Sequence, residues 1–406
     1  MKSRWIKTLG ILLITGIFFT CVEPFTPKLN DSIPLLVVDA LFTDENISNY
    51  VKLSMIKLTL NGSSDKVTGA TVTIKDDSGT SFELSEFPGG LYKSDNPSFR
   101  GEPGKSYTLY IRTISGKEYK SEPATMYEVR NIDSLYFGKD KFTREDGYLQ
   151  EGVRVYIDSK EPLENKYFRW TYEEWWKFNI PLPKSYVYVN ENNIYAIPVT
   201  NVTCWKQVTS DEIIIESSQT VNNGEFIKKP VLFIPSDKSD RFLVQYCIQV
   251  RQLSISKEEY EYWDHLRQIN EAGGDIFDKQ PFQVNSNIQS LDNPEEPVLG
   301  YFQVSAVKRM RKYFTNQEFN KMNLPRYYYD CQLISIGPGD PETDYIAPPV
   351  TFNKIYDYFT DLNYIFIQPV YNEYGRLSKL MFVREVCADC SLTGSVNKPD
   401  FWMDMK

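Results

Sequence analysis

The chain has 406 residues, a formal net charge of −9, 15% aromatic residues and one histidine, His265. A net-acidic chain without a basic run is a poor candidate for binding nucleic acid or anionic lipid through charge. One imidazole excludes a multi-histidine metal site and limits any Ser–His or Cys–His catalysis to that residue. The length predicts two or three domains, and the 28 Tyr and 24 Phe residues favour β structure.

Residues 1–20 have the organisation of a signal peptide. Three cations precede an apolar run from Leu9 to Phe19, which is shorter than the roughly 20 residues that cross a bilayer. Cys21 follows, as the lipid-modified cysteine of a lipoprotein does. We expect cleavage before Cys21, which changes the charge from −9 to −12 because three cations and no anion are removed, and attachment to the membrane through several acyl chains. The alternatives are a conventional signal with Cys21 incidental, or an uncleaved anchor.

The mature chain is predicted to be mainly β, with an N-terminal immunoglobulin-like β-sandwich followed by a larger β-rich domain. Residues 21–33 contain two prolines and several polar side chains and are predicted to be a tether. Residues 34–126 contain short alternating segments separated by glycine-containing turns, which is the pattern of such a sandwich. The antibody Cys…Trp…Cys core is missing, so the likeness is one of architecture. Residues 127–406 are assigned to the β-rich domain.

A short helical insertion is predicted near 257–271. Ser256 and Glu259 have the spacing of a capping box. An apolar stripe with helical spacing follows, formed by Tyr262, Trp263, Leu266 and Ile269. His265 lies on this helix without an evident nucleophile beside it, so we expect a structural role for it. Residues 315–365 are expected to be rich in loops.

The five cysteines other than Cys21 all lie in the second half of the chain. Cys387 and Cys390 form a CxxC, but they follow a predicted strand instead of opening a helix, which argues against a redox motif. Outside the cytoplasm two disulfides among Cys204, Cys331, Cys387 and Cys390 are expected, with a four-cysteine zinc site as the alternative. We expect Cys204 and Cys331 each to reach one member of the CxxC, in an unassigned order. Cys247 is left as a buried free thiol.

Two groups of side chains are candidates for contact with a ligand or for chemistry. The first is aromatic and could stack on sugars or a partner, although aromatic residues also dominate β cores; it consists of Trp175, Trp176, Tyr327, Tyr328 and Tyr329. The second is acidic and could serve a carboxylate-dependent hydrolase; it consists of Glu173, Glu174, Asp389 and Asp400. Glu173 and Glu174 are adjacent on a predicted strand, so they point to opposite faces and cannot both meet one substrate. No catalytic residue, metal ligand or cofactor is assigned.

Several stretches resemble an uncharacterised family of Bacteroidota outer-membrane lipoproteins, the domain-of-unknown-function family four-two-four-nine. They are LVVDALFTDE after the cysteine, VTGATVTIKDD, PGKSYTLYI, TCW at 203–205, PFQVNSNI at 281–288 and the terminal CADCSLTGSVNKPDFW. The resemblance implies an outer-membrane address, on either the periplasmic or the cell-surface face, and a setting like that of the accessory lipoproteins of TonB-dependent receptors. It implies no reaction and no ligand.

The expectation that results is a non-enzymatic accessory or ligand-capture lipoprotein that works with a TonB-dependent barrel in nutrient uptake. The membrane and the barrel are its expected partners. A surface hydrolase and a structural subunit of an envelope assembly are the two alternatives.

Overall fold

The computed structural model describes residues 34–405, apart from 46–48, 58–63, 95, 97, 145, 161–163 and 272–285. The predicted signal peptide, Cys21 and the tether lie outside the described residues. Within them the chain is mainly β, as predicted, and no helix is long and apolar enough to cross a membrane. The α-helices are α1 (Lys257–Glu271), α2 (Asn316–Lys321) and α3 (Phe352–Asp361).

The strands form several sheets that are assembled from distant parts of the chain. In chain order they are β1 (Leu35–Thr43), β2 (Tyr50–Ile56), β3 (Ser64–Lys66), β4 (Thr71–Asp76), β5 (Ser81–Phe87), β6 (Leu91–Lys93), β7 (Ser106–Arg112), β8 (Glu118–Ser121), β9 (Ala124–Thr125), β10 (Ser134–Thr143), β11 (Leu149–Ser159), β12 (Tyr167–Asn179), β13 (Tyr186–Asn190), β14 (Asn193–Ala196), β15 (Thr203–Thr209), β16 (Ile214–Ser217), β17 (Phe226–Pro235), β18 (Gln245–Ile255), β19 (Ile288–Ser290), β20 (Val298–Ser305), β21 (Val307–Thr315), β22 (Ile334–Ile336), β23 (Tyr364–Tyr371) and β24 (Leu377–Arg384).

The N-terminal strands form one path of hydrogen-bonded neighbours, and two later strands complete it. The order is β19-β8-β7-β4-β5-β6-β2-β1-β20, with β3 on β2 and β9 on β7. In β7 the side chains of Tyr107, Leu109 and Ile111 are buried in the core, as their alternation predicts. β1 pairs antiparallel with β2 and parallel with β20. Strands from beyond residue 127 therefore complete the sheet of residues 34–126, and the immunoglobulin-like detail stays a prediction.

One asparagine side chain joins the two ends of this path. Asn287, just before β19, donates from Nδ2 to the carbonyl of Phe302 in β20 and accepts from its N–H, both at 2.9 Å. The amide thus makes the pair of bonds that a neighbouring strand would make.

Gly300 of β20 has a φ of +93°, and a Cβ there would lie 1.9 Å from the carbonyl oxygen of Val38 in β1. Only glycine fits this close parallel approach.

Two further sheets form the centre of the molecule, with strand orders β10-β11-β17 and β15-β12-β18-β21. β16 also pairs with β12, on the stretch before β15. Phe168 and Trp170 of β12 pack edge-on against Phe226 of β17, with ring centroids 5.4 and 5.1 Å apart. Much of the aromatic content is therefore core between these sheets.

Helix α1 lies where it was predicted, but its capping differs from the expectation. The Ser256 hydroxyl accepts from the Glu259 N–H at 3.1 Å, which is one half of a capping box. The Glu259 side chain is buried instead and accepts from the Trp263 indole at 3.2 Å. The guanidinium of Arg169 stacks on Trp263, 3.7 Å from the ring centroid. Glu259 is therefore part of a buried polar cluster between α1 and β12.

The C-terminal part contains a small sheet and more helix than expected. The sheet has the order β22-β24-β23, and α3 packs on it through Ile355 and Phe359, which lie in one core with Phe366 and Phe382. The expectation of a loop-rich segment at 315–365 is wrong at α2 and α3. Thr351 caps α3 by accepting a hydrogen bond from the Lys354 N–H. The apolar side chains of α3 have helical spacing, although several of them are of types that favour strands.

The last residues cross the face of the β15-β12-β18-β21 sheet; we call residues 387–405 the C-terminal segment. Phe401 packs edge-on against Trp175 of β12, with ring centroids 4.7 Å apart. The Tyr313 hydroxyl of β21 donates to the Phe401 carbonyl at 2.9 Å, and Gln245 of β18 donates to the Met403 carbonyl at 2.7 Å. The segment therefore covers the sheet from its β15 edge to β21.

Candidate functional site

Two disulfides fix the start of the C-terminal segment. Cys204 of β15 bonds Cys390 and Cys331 bonds Cys387, with S–S distances of 2.01 and 2.02 Å. The prediction that Cys204 and Cys331 each reach one cysteine of the CxxC is confirmed, and the zinc alternative is wrong because all four sulfurs are bonded. Cys247 is free and buried, as expected. Among the described residues no group of His, Cys, Asp and Glu could hold a metal ion.

A cavity of about 730 Å³ opens between β15 and the C-terminal segment. We call it the strand-edge cleft. Its sheet side is formed by Trp175, Trp176 and residues 205–208, and its other side by residues 393–401 apart from 396. Aromatic surface from Trp205 and Phe401 alternates with amide, hydroxyl and charged groups. A cavity of this size, mainly apolar with a few polar groups, has the character of a binding site.

A second cavity, of about 400 Å³, adjoins the cleft and contains the predicted tyrosines. Tyr327 and Tyr329 line it, together with Asp330 and Arg384. It shares Trp176, Lys206 and Thr393 with the strand-edge cleft. We call the two cavities together the aromatic groove. The groove brings together four of the five aromatic candidates, although about 150 residues of chain separate the tryptophans from the tyrosines.

Asp240 connects the two halves of the groove. Its carboxylate accepts from the Trp176 indole at 2.8 Å, from the Lys206 ammonium at 2.8 Å and from the Tyr329 hydroxyl at 3.3 Å. The Asp240 side chain is buried, at the first position of a short 3₁₀ helix that Ser239 caps. Burial, with Asp240 beside it, raises the pKa of Tyr329, which therefore stays a neutral donor. The site's aromatic walls are thus held by charge-assisted hydrogen bonds.

Glu174, one of the predicted acidic candidates, is part of the support beneath the groove. It is 2% exposed, and Arg241 donates to its two oxygens at 2.9 and 3.1 Å while the Tyr246 hydroxyl donates at 2.8 Å. Burial and then the Glu174 charge raise the pKa of Tyr246. Glu173 pairs with Thr209 across the ladder and points to the other face. Glu174 is therefore committed to a bidentate pair with Arg241.

The other two acidic candidates lie apart from Glu174. Asp389 caps a 3₁₀ turn by accepting from the N–H and the hydroxyl of Ser391 at 2.9 and 2.6 Å. Asp400 lines the strand-edge cleft. The structure thus places one of the four predicted carboxylates at the cleft and does not assemble a carboxylate pair there.

The aromatic candidates divide between the core and the surface. Trp175 and Trp176 are 6% and 5% exposed, so most of each ring is core and only an edge meets the cleft. Tyr328 is 79% exposed and lines neither cavity of the groove. Trp205 and Phe401 are half-buried and present more surface to the cleft. Sequence reasoning did not select Trp205, Lys206, Asp240 or Phe401 for this site, because only the fold brings them together.

The outer edge of β15 is only partly paired. Trp205 exchanges two main-chain hydrogen bonds with Ser395 of the C-terminal segment, at 2.9 and 2.8 Å. Because main-chain groups alternate in direction along a strand, Gln207 and Thr209 also point their N–H and C=O groups away from β12. No described residue pairs with those groups. Gln207 lines the cleft, so the cleft contains an open strand edge.

Comparison with solved structures yields only weak likenesses. "Biofilm associated protein - B domain" matches at 8% identity with a TM-score of 0.11, over 69% of this chain and 86% of that chain. "Biofilm associated protein - BSP domain" matches at 7% identity with the same TM-score, over 70% and 60%. Neither likeness carries an argument about fold or function. No curated protein matches the chain.

A family description matches residues 22–311, which is more than half of the chain. The family is titled "Domain of unknown function (DUF4249)". The match ends inside β21, so the C-terminal segment and the disulfide partners Cys331, Cys387 and Cys390 lie beyond it. By this match the chain belongs to the DUF4249 family.

Proposed function

We propose that the protein is an accessory, ligand-capture lipoprotein of the outer membrane that works beside a TonB-dependent barrel in nutrient uptake. The aromatic groove is the observation that carries the capture part of this proposal. It combines aromatic surface, polar side chains and a framework fixed by two disulfides. A binding site held in place in this way loses little conformational freedom when a ligand enters.

The membrane part of the proposal rests on the N-terminal sequence. The basic and apolar segments before Cys21 support export and acylation there. Several acyl chains on one cysteine give stable attachment, whereas a single chain gives marginal binding. Residues 22–33 then supply a tether of up to about 40 Å at the usual rise of an extended chain. The groove would thus stay close to a partner in the same membrane, in either leaflet.

Co-purification from native membranes tests the proposal. The tagged full-length protein is extracted in mild detergent, and the proteins recovered with it are identified by mass spectrometry. We expect an N-terminal peptide that begins with acylated Cys21 and enrichment of a TonB-dependent barrel. The matched control is Cys21→Ala, which cannot be acylated at this position and should yield no acylated N-terminal peptide. Repeated recovery of the acylated protein without any barrel would refute the proposed partnership.

A further inference from the structure

We propose that the strand-edge cleft binds oligopeptides in extended form, the peptide main chain adding to β15 as a further strand. The inference rests on the proposed function and names its ligand class: the captured nutrient is peptide. Its basis is the open edge at Gln207, which lines the cleft, and at Thr209 just beyond that lining; together they offer two N–H donors and two C=O acceptors. An extended peptide presents the same groups at the same spacing, so the two edges are complementary.

The chain's own C-terminal segment shows that this edge accepts main-chain pairing at one position. Ser395 forms an antiparallel bridge with Trp205, and the Cys390 N–H donates to the Asn201 carbonyl at 3.1 Å. Beyond Ser395 the segment leaves the edge and passes through Pro399 to Phe401, which packs on Trp175. Because the Trp205–Ser395 bridge is antiparallel, the residues before Ser395 would face Gln207 and Thr209. Those residues form the 3₁₀ turn Cys390–Leu392 with Thr393 as its C-cap, so the last two outward-facing residues of β15 stay unpaired. An incoming peptide would continue the pairing that Ser395 begins.

The exposed part of the edge carries none of the usual protection against pairing. Exposed edges are normally blocked by proline, by lysine, by a bulge or by a covering element. Gln207, Val208 and Thr209 are uncharged, and their pairing to β12 is regular. The wall formed by residues 397–401 leaves a cleft of about 730 Å³ beside Gln207 and Val208. A single peptide strand suits this space, whereas a second copy of the whole sheet would meet the wall.

The aromatic lining gives peptide side chains a surface without demanding one sequence. Trp205 and Phe401 contribute apolar area on the sides of the cleft. The Arg311 guanidinium stacks on Phe401, 3.7 Å from the ring centroid, which holds that ring in place. In strand addition the main-chain hydrogen bonds supply the affinity, and the side-chain contacts can accept different residues. This combination suits a protein that captures mixed peptides.

The test uses the full-length lipidated protein in detergent, with a tryptic digest of casein as the probe. Peptides that stay bound after gel filtration are identified by mass spectrometry, and the most enriched one is synthesised. Its affinity is then measured by tryptophan fluorescence, alone and with alternate amides N-methylated. A maltodextrin mixture serves as the competing ligand. We expect saturable peptide binding, loss of binding on N-methylation and no competition by maltodextrin.

Paired substitutions on β15 separate main-chain from side-chain recognition. Gln207→Pro and Thr209→Pro remove an outward N–H that makes no bond within the sheet, so the ladder with β12 is kept. Gln207→Ala and Thr209→Ala remove the side chain and keep the N–H. We expect each proline variant to bind the peptide roughly tenfold more weakly and each alanine variant to bind it within about twofold of the wild type. Circular dichroism and an intact Cys204–Cys390 bond confirm that each variant is folded.

Hydrogen exchange supplies a readout that does not depend on substitution. The amides of Gln207 and Thr209 should exchange quickly in the free protein and slowly with the peptide bound, while Val208, which pairs with Glu174, should be slow in both states. The inference is overturned if no casein peptide is retained, if folded proline variants bind as the wild type does, or if maltodextrin displaces the peptide. If a barrel co-purifies with the protein but the protein binds no peptide, the proposed accessory role is retained and the proposed peptide ligand is rejected.

Discussion

The indole Nε1 of Trp176 donates a 2.8 Å hydrogen bond to the carboxylate of Asp240, and both side chains are buried. This contact ties β12 to the 3₁₀ helix that precedes β18. The same carboxylate receives Lys206 from β15 and Tyr329 from the segment before β22. Asp240 thus holds together three separate walls of the aromatic groove. Its acceptor capacity, and not its reactivity, explains why a carboxylate lies there.

We expect Asp240→Asn to destabilise the protein. The amide can accept fewer of the three bonds and leaves the Lys206 ammonium without its counter-charge in a partly buried position. Loss of a buried, charge-assisted network of this kind should lower the free energy of unfolding by about 2–4 kcal/mol. Urea denaturation followed by tryptophan fluorescence measures the change.

Asp330→Asn is the matched control for Asp240. Asp330 lines the same cavity and pairs with Arg384, but its side chain is 96% exposed. An exposed ion pair contributes little, so this variant should stay within about 1 kcal/mol of the wild type. Equal effects of the two substitutions would show that Asp240 is not the connecting residue described above.

The two disulfides should differ in their contribution to stability. Cys204–Cys390 closes a loop with a sequence separation of 186, and Cys331–Cys387 one with a separation of 56. In the chain-entropy picture the longer loop is worth about 5 kcal/mol and the shorter about 4 kcal/mol as upper values. The double variant Cys204→Ala/Cys390→Ala should therefore melt at a lower temperature than Cys331→Ala/Cys387→Ala. Calorimetry of both variants beside the wild type decides the order, and the reverse order would contradict this account.

The sequence predicted those features that depend on interactions between residues close together in the chain. The alternation in β4 and β7 and the helical stripe of α1 could be read from neighbouring residues. The set of disulfide cysteines followed from the expected oxidising compartment, and their pairing order was left unassigned. The addition of β19 and β20 to the N-terminal sheet could not be, because β20 pairs in parallel with β1 across more than 250 residues. A parallel pair needs no adjoining turn, so the sequence between the two strands carries no signal of it.

Tertiary packing decided the remaining differences. In α3 the aromatic residues favour strand, but Thr351 caps the helix and Ile355 and Phe359 are buried against β24 and β23. At the groove, Trp176 and Tyr329 were selected for their aromatic character alone. Asp240, which joins them, has no sequence signal beyond a Ser-Asp pair that begins a 3₁₀ turn. Site residues of this kind are visible only once the strands are placed.

Cys247 should be chemically inert in the folded protein. It lies under Trp175, Tyr313 and Trp402, and burial raises the pKa of its thiol to about 12, with Arg311 acting weakly in the opposite direction. Alkylation requires the thiolate and access to it. Among the five described cysteines, iodoacetamide should therefore label none in the native protein and Cys247 alone in concentrated guanidinium chloride without reductant. Peptide mapping locates the label, and rapid native labelling of Cys247 would contradict the packing of the C-terminal segment.

The buried carboxyl of Glu259 should make stability depend on pH. Burial raises its pKa from 4.5 to about 7, with Arg169 and the Trp263 indole acting in the opposite direction. Between these two pKa values the folded protein holds a proton that the unfolded chain has released. The stabilisation that this proton provides is therefore complete below pH 4.5 and is lost as the pH rises to about 7. The free energy of unfolding falls by a few kcal/mol in total over this range.

Glu259→Gln isolates this effect, because glutamine resembles the protonated carboxyl and does not titrate. At about pH 4 the variant and the wild type should have similar unfolding free energies, since Glu259 is then protonated in both the folded and the unfolded wild type. At about pH 8 the variant should be more stable by roughly 2–3 kcal/mol, because it avoids burying a charge. Urea titrations at both pH values measure the difference, in which the titration of all other groups cancels. If Glu259→Gln were instead less stable at the higher pH, attraction between ionised Glu259 and Arg169 would outweigh the cost of burial.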